Sequence, residues 1–192
     1  MQRRATVASL LKAASLAPTS AAPNPFLANL AGASAAADQQ IRTVLRRFVL
    51  AHPESPEAHL DYALLLGKLN GASDASSLAE TEGQLRSAIE LDPALAAAQF
   101  QLGLLYAKAG DDRQAIPALE AAVRLQPQDA KARYRLALAY RRQKRIDASE
   151  REMAAFRRLH AQASPPKAAA PDDAAMRLLG TSTASPPCPA PR

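Results

Sequence analysis

The sequence predicts an all-α fold, an α-solenoid of about three helical hairpins preceded by one extra helix. Three segments end alike: residues 45–53 (LRRFVLAHP), 85–93 (LRSAIELDP) and 119–127 (LEAAVRLQP), and the last two lie 34 residues apart. A repeated unit of this length cannot cover its own apolar face, so its copies stack on one another. The chain is also rich in alanine and has only 4% aromatic residues, which favours helix over sheet.

The first predicted helix covers residues 38–51. Ile41, Leu45, Phe48 and Val49 recur at helical spacing behind the N-cap residue Asp38, and a proline follows at position 53. We assign residues 38–53 to a helix that covers the exposed apolar side of the first full repeat.

Three hairpins then occupy residues 54–162. The turn of the second is the shortest, because Gly110 can end one helix and the next aspartate can cap another. Residues 70–76 lengthen the equivalent turn of the first hairpin by six residues, which a solenoid accommodates as an outward loop. Pro117 lies in the second turn of its helix, where we expect a kink or a late start. The predicted helices cover residues 55–69 and 77–91, 95–109 and 112–125, and 129–142 and 146–162.

The two ends of the chain have a different composition. Residues 1–37 contain three basic residues and no acidic one, with Arg3-Arg4 and a mildly apolar run before Ala35-Ala36-Ala37. This pattern allows an export signal of the twin-arginine kind, a mitochondrial transit peptide or a disordered arm. The location is accordingly periplasmic or exported, mitochondrial or cytoplasmic. The Pro- and Ala-rich residues 163–192 are predicted to be a disordered tail.

Charge is graded along the repeats. Residues 54–92 hold eight acidic and two basic residues, whereas residues 130–160 hold ten basic and three acidic residues. The sequence therefore predicts an acidic first repeat and a basic third repeat.

The sequence contains no pattern that indicates catalysis, a cofactor or a metal. Cys188 is the only cysteine, so neither an internal disulfide nor a cysteine zinc site is predicted. His52, His59 and His160 are far apart in sequence, and no Gly-rich phosphate loop or nucleophile elbow occurs. No stretch reaches the roughly 18 apolar residues of a transmembrane helix.

The hairpins resemble the tetratricopeptide repeat family, whose unit places large and small residues so that two helices nest closely. The second repeat carries the matching residues Leu102, Gly103, Tyr106, Ala115, Leu119, Ala122 and Pro127. The first repeat carries Tyr62, Ala63, Leu66, Thr81, Leu85, Ala88 and Pro93. The third carries Leu136, Ala137, Tyr140, Ser149, Met153 and Phe156, with Ala161 where proline would stand.

The resemblance implies that the first helix of each hairpin lines a concave groove. The groove positions of the family correspond here to Leu60, Leu64, Phe100, Gln101, Leu104, Lys108, Lys131, Tyr134, Arg135, Leu138 and Arg142. Lys131 and Arg135 match positions that grip a C-terminal carboxylate in some members, although Leu60 and Leu64 replace the lysine and asparagine of the first repeat. Apolar residues flanked by cations are suited to a peptide with apolar and acidic residues.

Three functions follow as hypotheses. The leading one is a non-catalytic adaptor that binds a protein or peptide in the groove. The second is a structural scaffold that self-associates through contact of its acidic end with its basic end. The third and least favoured is nucleic-acid binding on the basic third repeat, with Tyr134 and Tyr140 as stacking residues.

Overall fold

The computed structural model describes residues 35–69 and 75–163, and within these ranges every element is an α-helix. We number the seven helices α1 to α7. Their bounds are α1 Ala35–Ala51, α2 Pro56–Leu69, α3 Ala75–Leu91, α4 Ala96–Ala109, α5 Asp112–Leu125, α6 Ala130–Arg142 and α7 Ile146–Ala163.

The helices form three hairpins, α2–α3, α4–α5 and α6–α7, which stack in chain order. We call the first helix of each hairpin the A helix and the second the B helix. The A helices α2, α4 and α6 contact one another directly, and the B helices do not approach each other as closely. The stack therefore curves with the A helices on its inner side.

Capping residues define the turns between helices. Gly110 has a φ of 81°, a left-handed conformation that glycine adopts without the steric cost of a side chain. Asp111 then accepts a hydrogen bond from the backbone N–H of Gln114, and Asp129 accepts two from the first turn of α6. Helix α5 begins at Asp112 and runs through Pro117, so it does not start late.

Two apolar clusters hold the stack together. The larger one joins all three hairpins and includes Leu85, Leu102, Leu119 and Leu136. The smaller one lies between α1 and α2, where Ile41 and Leu45 of α1 meet the apolar face of α2. Helix α1 therefore covers the apolar side of the first repeat, as the sequence predicts.

Hydrogen bonds between buried tyrosines and glutamates connect neighbouring helices. The Tyr62 hydroxyl donates to Glu80 Oε1 at 2.8 Å, and Arg42 of α1 donates to the other oxygen of that carboxylate at 2.9 Å. The Tyr106 hydroxyl donates to Glu82 Oε1 at 2.8 Å. The bond from Tyr140 to Glu120 links α6 to α5 in the same way. These polar contacts between helices thus serve the fold.

The predicted all-α class, the three hairpins and the extra first helix are confirmed. The first helix begins at Ala35, three residues earlier than expected, so Ala35–Ala37 belong to it and not to a preceding segment. The disordered tails and the export or transit segment concern residues 1–34 and 164–192, which lie outside the described residues, as do residues 70–74 of the inserted loop. None of the helices described is long and apolar enough to cross a membrane.

Candidate functional site

A cavity of about 200 Å³ opens between the A helices α2 and α4, with α3 behind it. Leu64, Leu104 and Leu105 form an apolar lining, and Lys68 and Lys108 are also among the residues around the cavity. The same set of lining residues also contains Ala63, Gly67, Leu78, Thr81, Leu85 and Gln101. An apolar depression beside Lys108 has the chemistry to hold an apolar side chain that lies next to a carboxylate.

Four of the groove residues predicted from sequence meet in this cavity: Leu64, Gln101, Leu104 and Lys108. Sequence reasoning missed Lys68, although it occupies the same repeat position as Lys108 once the six inserted residues are counted. It also missed Leu78 and Thr81, which belong to the B helix α3 and lie behind the row of A helices.

The third repeat provides an aromatic and cationic part of the same inner side. The Tyr134 side chain is 37% exposed, and its ring centroid lies 5.2 Å from that of Phe156 on α7. Lys131 and Arg135 are exposed, and neither forms an ion pair with another described residue. Leu138 is half-buried one turn further along the helix, and Phe100 of the second repeat is half-buried against the larger apolar cluster.

Two predicted groove residues are engaged in the fold instead. Leu60 is only 9% exposed and packs within the larger apolar cluster, so it contributes to the core. The Arg142 guanidinium donates to both carboxylate oxygens of the buried Asp112, with distances of 2.5 to 2.8 Å. This pair ties α6 to α5 and raises the pKa of Arg142, mainly through the hydrogen bond to Asp112. Arg142 is therefore not a free groove cation.

Asp61 of α2 is a further polar residue that sequence reasoning did not select. The residue is only 6% exposed, and its Oδ2 atom has no hydrogen-bond partner among the described residues. Burial, together with the nearby Glu57 carboxylate, raises the pKa of Asp61 from 3.8 to about 6. The signal that could have found it is a carboxylate at the repeat position that Gln101 and Arg135 occupy in the other two repeats.

The contacts of His59 are those of a residue that supports the fold. His59 Nδ1 lies 2.7 Å from Gln84 Oε1 and its Nε2 lies 3.0 Å from the carbonyl oxygen of Pro53, so both ring nitrogens are engaged. No group of three or more potential metal ligands occurs among the residues that the structure describes.

One of the two tyrosines expected to stack on nucleic-acid bases is buried. Tyr140 is 7% exposed, its hydroxyl donates to Glu120, and the Arg145 guanidinium lies 4.5 Å from its ring centroid. A base cannot reach the face of this ring without displacing Arg145. Tyr134 alone remains accessible.

The ends of the described stack are α1 and α7. Helix α1 contains three arginines and one aspartate, and Arg42 forms an ion pair with Glu80 of the acidic first repeat. A basic helix thus lies over the acidic repeat, while the opposite end is the basic third repeat. Within the described residues, the arrangement does not favour contact of an acidic end with a basic end.

Comparison with known proteins identifies this architecture. Residues 96–139 match the sequence model of the tetratricopeptide repeat family. No curated protein matches the sequence at a significant level.

Three solved structures illustrate the structural similarity. MamA from Desulfovibrio magneticus RS-1 is 20% identical, with 85% of this chain and 90% of that chain covered and a TM-score of 0.64. TTC0263, a TPR protein of Thermus thermophilus, is 20% identical, with 90% and 87% covered and a TM-score of 0.59. YrrB, described as a TPR protein with an unusual peptide-binding site, is 17% identical, with 69% and 64% covered and a TM-score of 0.55. At these identities the comparison establishes the fold.

Proposed function

We propose that this chain, whose residues 96–139 match the tetratricopeptide repeat family, is a non-catalytic adaptor that binds a peptide segment of another protein on the inner side of its A helices. The family's general role in protein–protein interaction supports the proposal, and YrrB is described as having a peptide-binding site.

The observation that carries the proposal is the cavity between α2 and α4. Its lining of Leu64, Leu104 and Leu105 accepts an apolar side chain, and Lys108 lies beside it. A volume of about 200 Å³ exceeds that of one leucine side chain and is small for a drug-sized ligand, whose pockets usually measure roughly 300–1,000 Å³. A peptide that places one apolar residue there fits the cavity better than a large cofactor does.

The third repeat extends the proposed contact surface. Lys131 and Arg135 are exposed cations without a partner among the described residues, and Tyr134 presents a ring beside them. Aromatic and arginine side chains contribute strongly to protein interfaces. We therefore expect the bound segment to carry an acidic residue at this end.

The proposal is tested with a randomised heptapeptide library displayed on phage and selected on the full chain. The selected peptides are then synthesised, and their Kd values are measured by fluorescence anisotropy. We expect Tyr134→Ala, Arg135→Gln and Leu104→Asp each to weaken binding about tenfold or more, because each removes a partner of the peptide. All three side chains are at least partly exposed, so the variants should keep the helical circular dichroism spectrum.

Arg124→Gln is the matched control. Arg124 is exposed on the B helix α5, so the substitution removes the same charge as Arg135→Gln on a helix that does not line the groove. Selection of no peptide at all, or binding that Tyr134→Ala, Arg135→Gln and Leu104→Asp leave as strong as Arg124→Gln does, contradicts the proposal.

A further inference from the structure

The carboxyl group of Asp61 is buried without the partner that a buried charge requires. Asp61 is 6% exposed, and its Oδ2 atom accepts no hydrogen bond from any described residue. Buried polar atoms are almost always hydrogen-bonded, so such an atom needs an explanation. The neighbouring carboxylate of Glu57 repels that of Asp61 and does not offset the cost of burying it.

Asp61 shares one face of α2 with two residues that line the cavity. Glu57, Asp61, Leu64 and Lys68 follow one another at helical spacings of three or four residues, which places them along one face. Leu64 and Lys68 of this row line the cavity. The row thus places the two carboxylates at the N-terminal end of α2 and the cavity nearer its C-terminal end.

The same positions in the other A helices have a different charge. Asp61 is replaced by Gln101 in the second repeat and by Arg135 in the third, and Glu57 is replaced by Ala97 and by Lys131. Because successive A helices are in contact, these repeat positions form a row across the three helices that changes from acidic through neutral to basic.

We propose that Asp61, supported by Glu57, is a subsite for a lysine or arginine side chain of the bound peptide, and that this subsite fixes the direction in which the peptide lies. The inference rests on the proposed function and names the chemistry of its partner. A cationic side chain would give the buried carboxylate a charge-assisted hydrogen bond. An acidic residue of the same peptide would meet Lys131 and Arg135 at the other end.

The spacing of the helices sets the spacing of the two charges in the peptide. Packed helices lie about 8–10 Å apart, so the first and third A helices are separated by roughly 20 Å. An extended chain advances about 3.3 Å per residue, so the basic and acidic residues should be about six positions apart. A heptapeptide is long enough to reach from one subsite to the other.

The test repeats the heptapeptide selection on the full chain and on its Asp61→Asn variant. We expect peptides selected on the unmodified chain to carry Lys or Arg near one end and Asp or Glu near the other. Selection on Asp61→Asn should lose the basic preference and keep the acidic one. Selection on Arg135→Gln should do the opposite, and Asp147→Asn, an exposed change on α7, should alter neither preference.

Synthetic peptides give the quantitative form of the same test. Replacing the basic residue of a selected peptide by glutamine should weaken binding to the unmodified chain about tenfold. The same replacement should have no effect on binding to Asp61→Asn, because the partner of the cation is already absent. Circular dichroism melting of Asp61→Asn checks that the variant is folded.

The outcomes separate this inference from the function on which it rests. Peptides that bind in the groove and respond to Arg135→Gln, but carry no basic residue or bind Asp61→Asn with the same preference, overturn the subsite and leave the adaptor function standing. Failure to select any peptide overturns both.

Discussion

Asp61 is the residue whose chemistry agrees least with its position in the fold. Folding removes its carboxyl group from water and supplies neither a cation nor a hydrogen-bond donor to Oδ2 within the described residues. Burial disfavours the charged form of this carboxyl group and raises its pKa from 3.8 to about 6. Residues that weaken the fold in this way are characteristic of functional sites.

Asp61→Asn should therefore stabilise the free protein at neutral and alkaline pH. The raised pKa means that the stability contributed by this group is fully present below about pH 4 and is lost as the pH rises through about 6. We expect the variant to exceed the unmodified chain by about 1–3 kcal/mol in free energy of unfolding at pH 8, and the difference to vanish near pH 4. Urea unfolding at both pH values measures it. A variant that is less stable than the unmodified chain at pH 8 would show that the carboxylate has a partner in the free protein.

Arg142 illustrates the opposite case, a charged residue that the fold uses fully. Its guanidinium is bound by both oxygens of Asp112, whose side chain is buried. Arg142→Gln should leave that carboxylate buried and unpaired, and we expect a loss of about 2–3 kcal/mol in free energy of unfolding.

Arg141→Gln is the neighbouring control for this prediction, since Arg141 is exposed and should change stability by less than about 0.5 kcal/mol. The double variant Asp112→Asn with Arg142→Gln should recover part of the loss, because no charge is then left buried. Equal stability of Arg142→Gln and Arg141→Gln in denaturant would refute the pairing.

Sequence patterns could not distinguish these roles residue by residue. Leu60, Asp61 and Arg142 all lie at groove positions of the repeat, yet the first packs in the core, the second is buried without a partner and the third binds Asp112. The difference depends on what the neighbouring helices place opposite each side chain. Contacts 30 residues apart, such as Arg142 with Asp112, are not encoded in a local period.

At the scale of the helices, close approach depends on glycine and alanine at the contact points. Gly103 of α4 faces Leu119 of α5, and a β-carbon added at Gly103 would lie 2.6 Å from Leu119 Cγ and 3.2 Å from its backbone nitrogen. Neither atom is the end of a flexible side chain, so the two helices would have to separate.

Gly103→Ala should accordingly destabilise the protein by about 1–3 kcal/mol, despite the better helix propensity of alanine. Gly83→Ala is the matched substitution, because Gly83 is in the interior of α3 and nothing lies within 4 Å of its added β-carbon. That variant should be more stable by about 0.5–1 kcal/mol. Chemical denaturation of the two variants compares them, and a neutral or stabilising Gly103→Ala would contradict the close packing of α4 on α5.

The elements could be predicted well because their signals are local. Gly110 and the prolines at positions 53, 93 and 127 follow the ends of helices, and the 34-residue repeat aligns the helices with one another. The start of α1 is less well defined by the sequence, since alanine is compatible with a helix as well as with a preceding segment. Neither glycine nor proline lies between Ala35 and Asp38, and the helix includes Ala35.

At the scale of the whole molecule, α1 acts as the cover of the first repeat. Ile41, Leu45 and Val49 of α1 pack against Tyr62, Leu65 and Leu66 of α2, which are themselves almost fully buried. A solenoid needs such a terminal helix, because the outer side of its first hairpin would otherwise expose apolar residues.

Removal of residues 1–51 should therefore destabilise the stack and promote association. The truncated chain would expose the apolar face of α2, and we expect its Tm to fall by on the order of 10 °C and its apparent mass to rise with concentration. Thermal circular dichroism and size-exclusion chromatography with light scattering measure the two effects. A truncated chain that melts at the original temperature and stays monomeric would show that α1 is dispensable.

The most direct test of the proposed function is an amide chemical-shift map of the full chain as it binds a selected heptapeptide. Binding on the inner side of the A helices predicts that the largest changes lie on α2, α4 and α6, at residues such as Asp61, Leu104 and Arg135. Changes concentrated instead on the exposed surfaces of α3, α5 and α7, around residues such as Arg124, would contradict the groove and with it the adaptor function proposed for this protein.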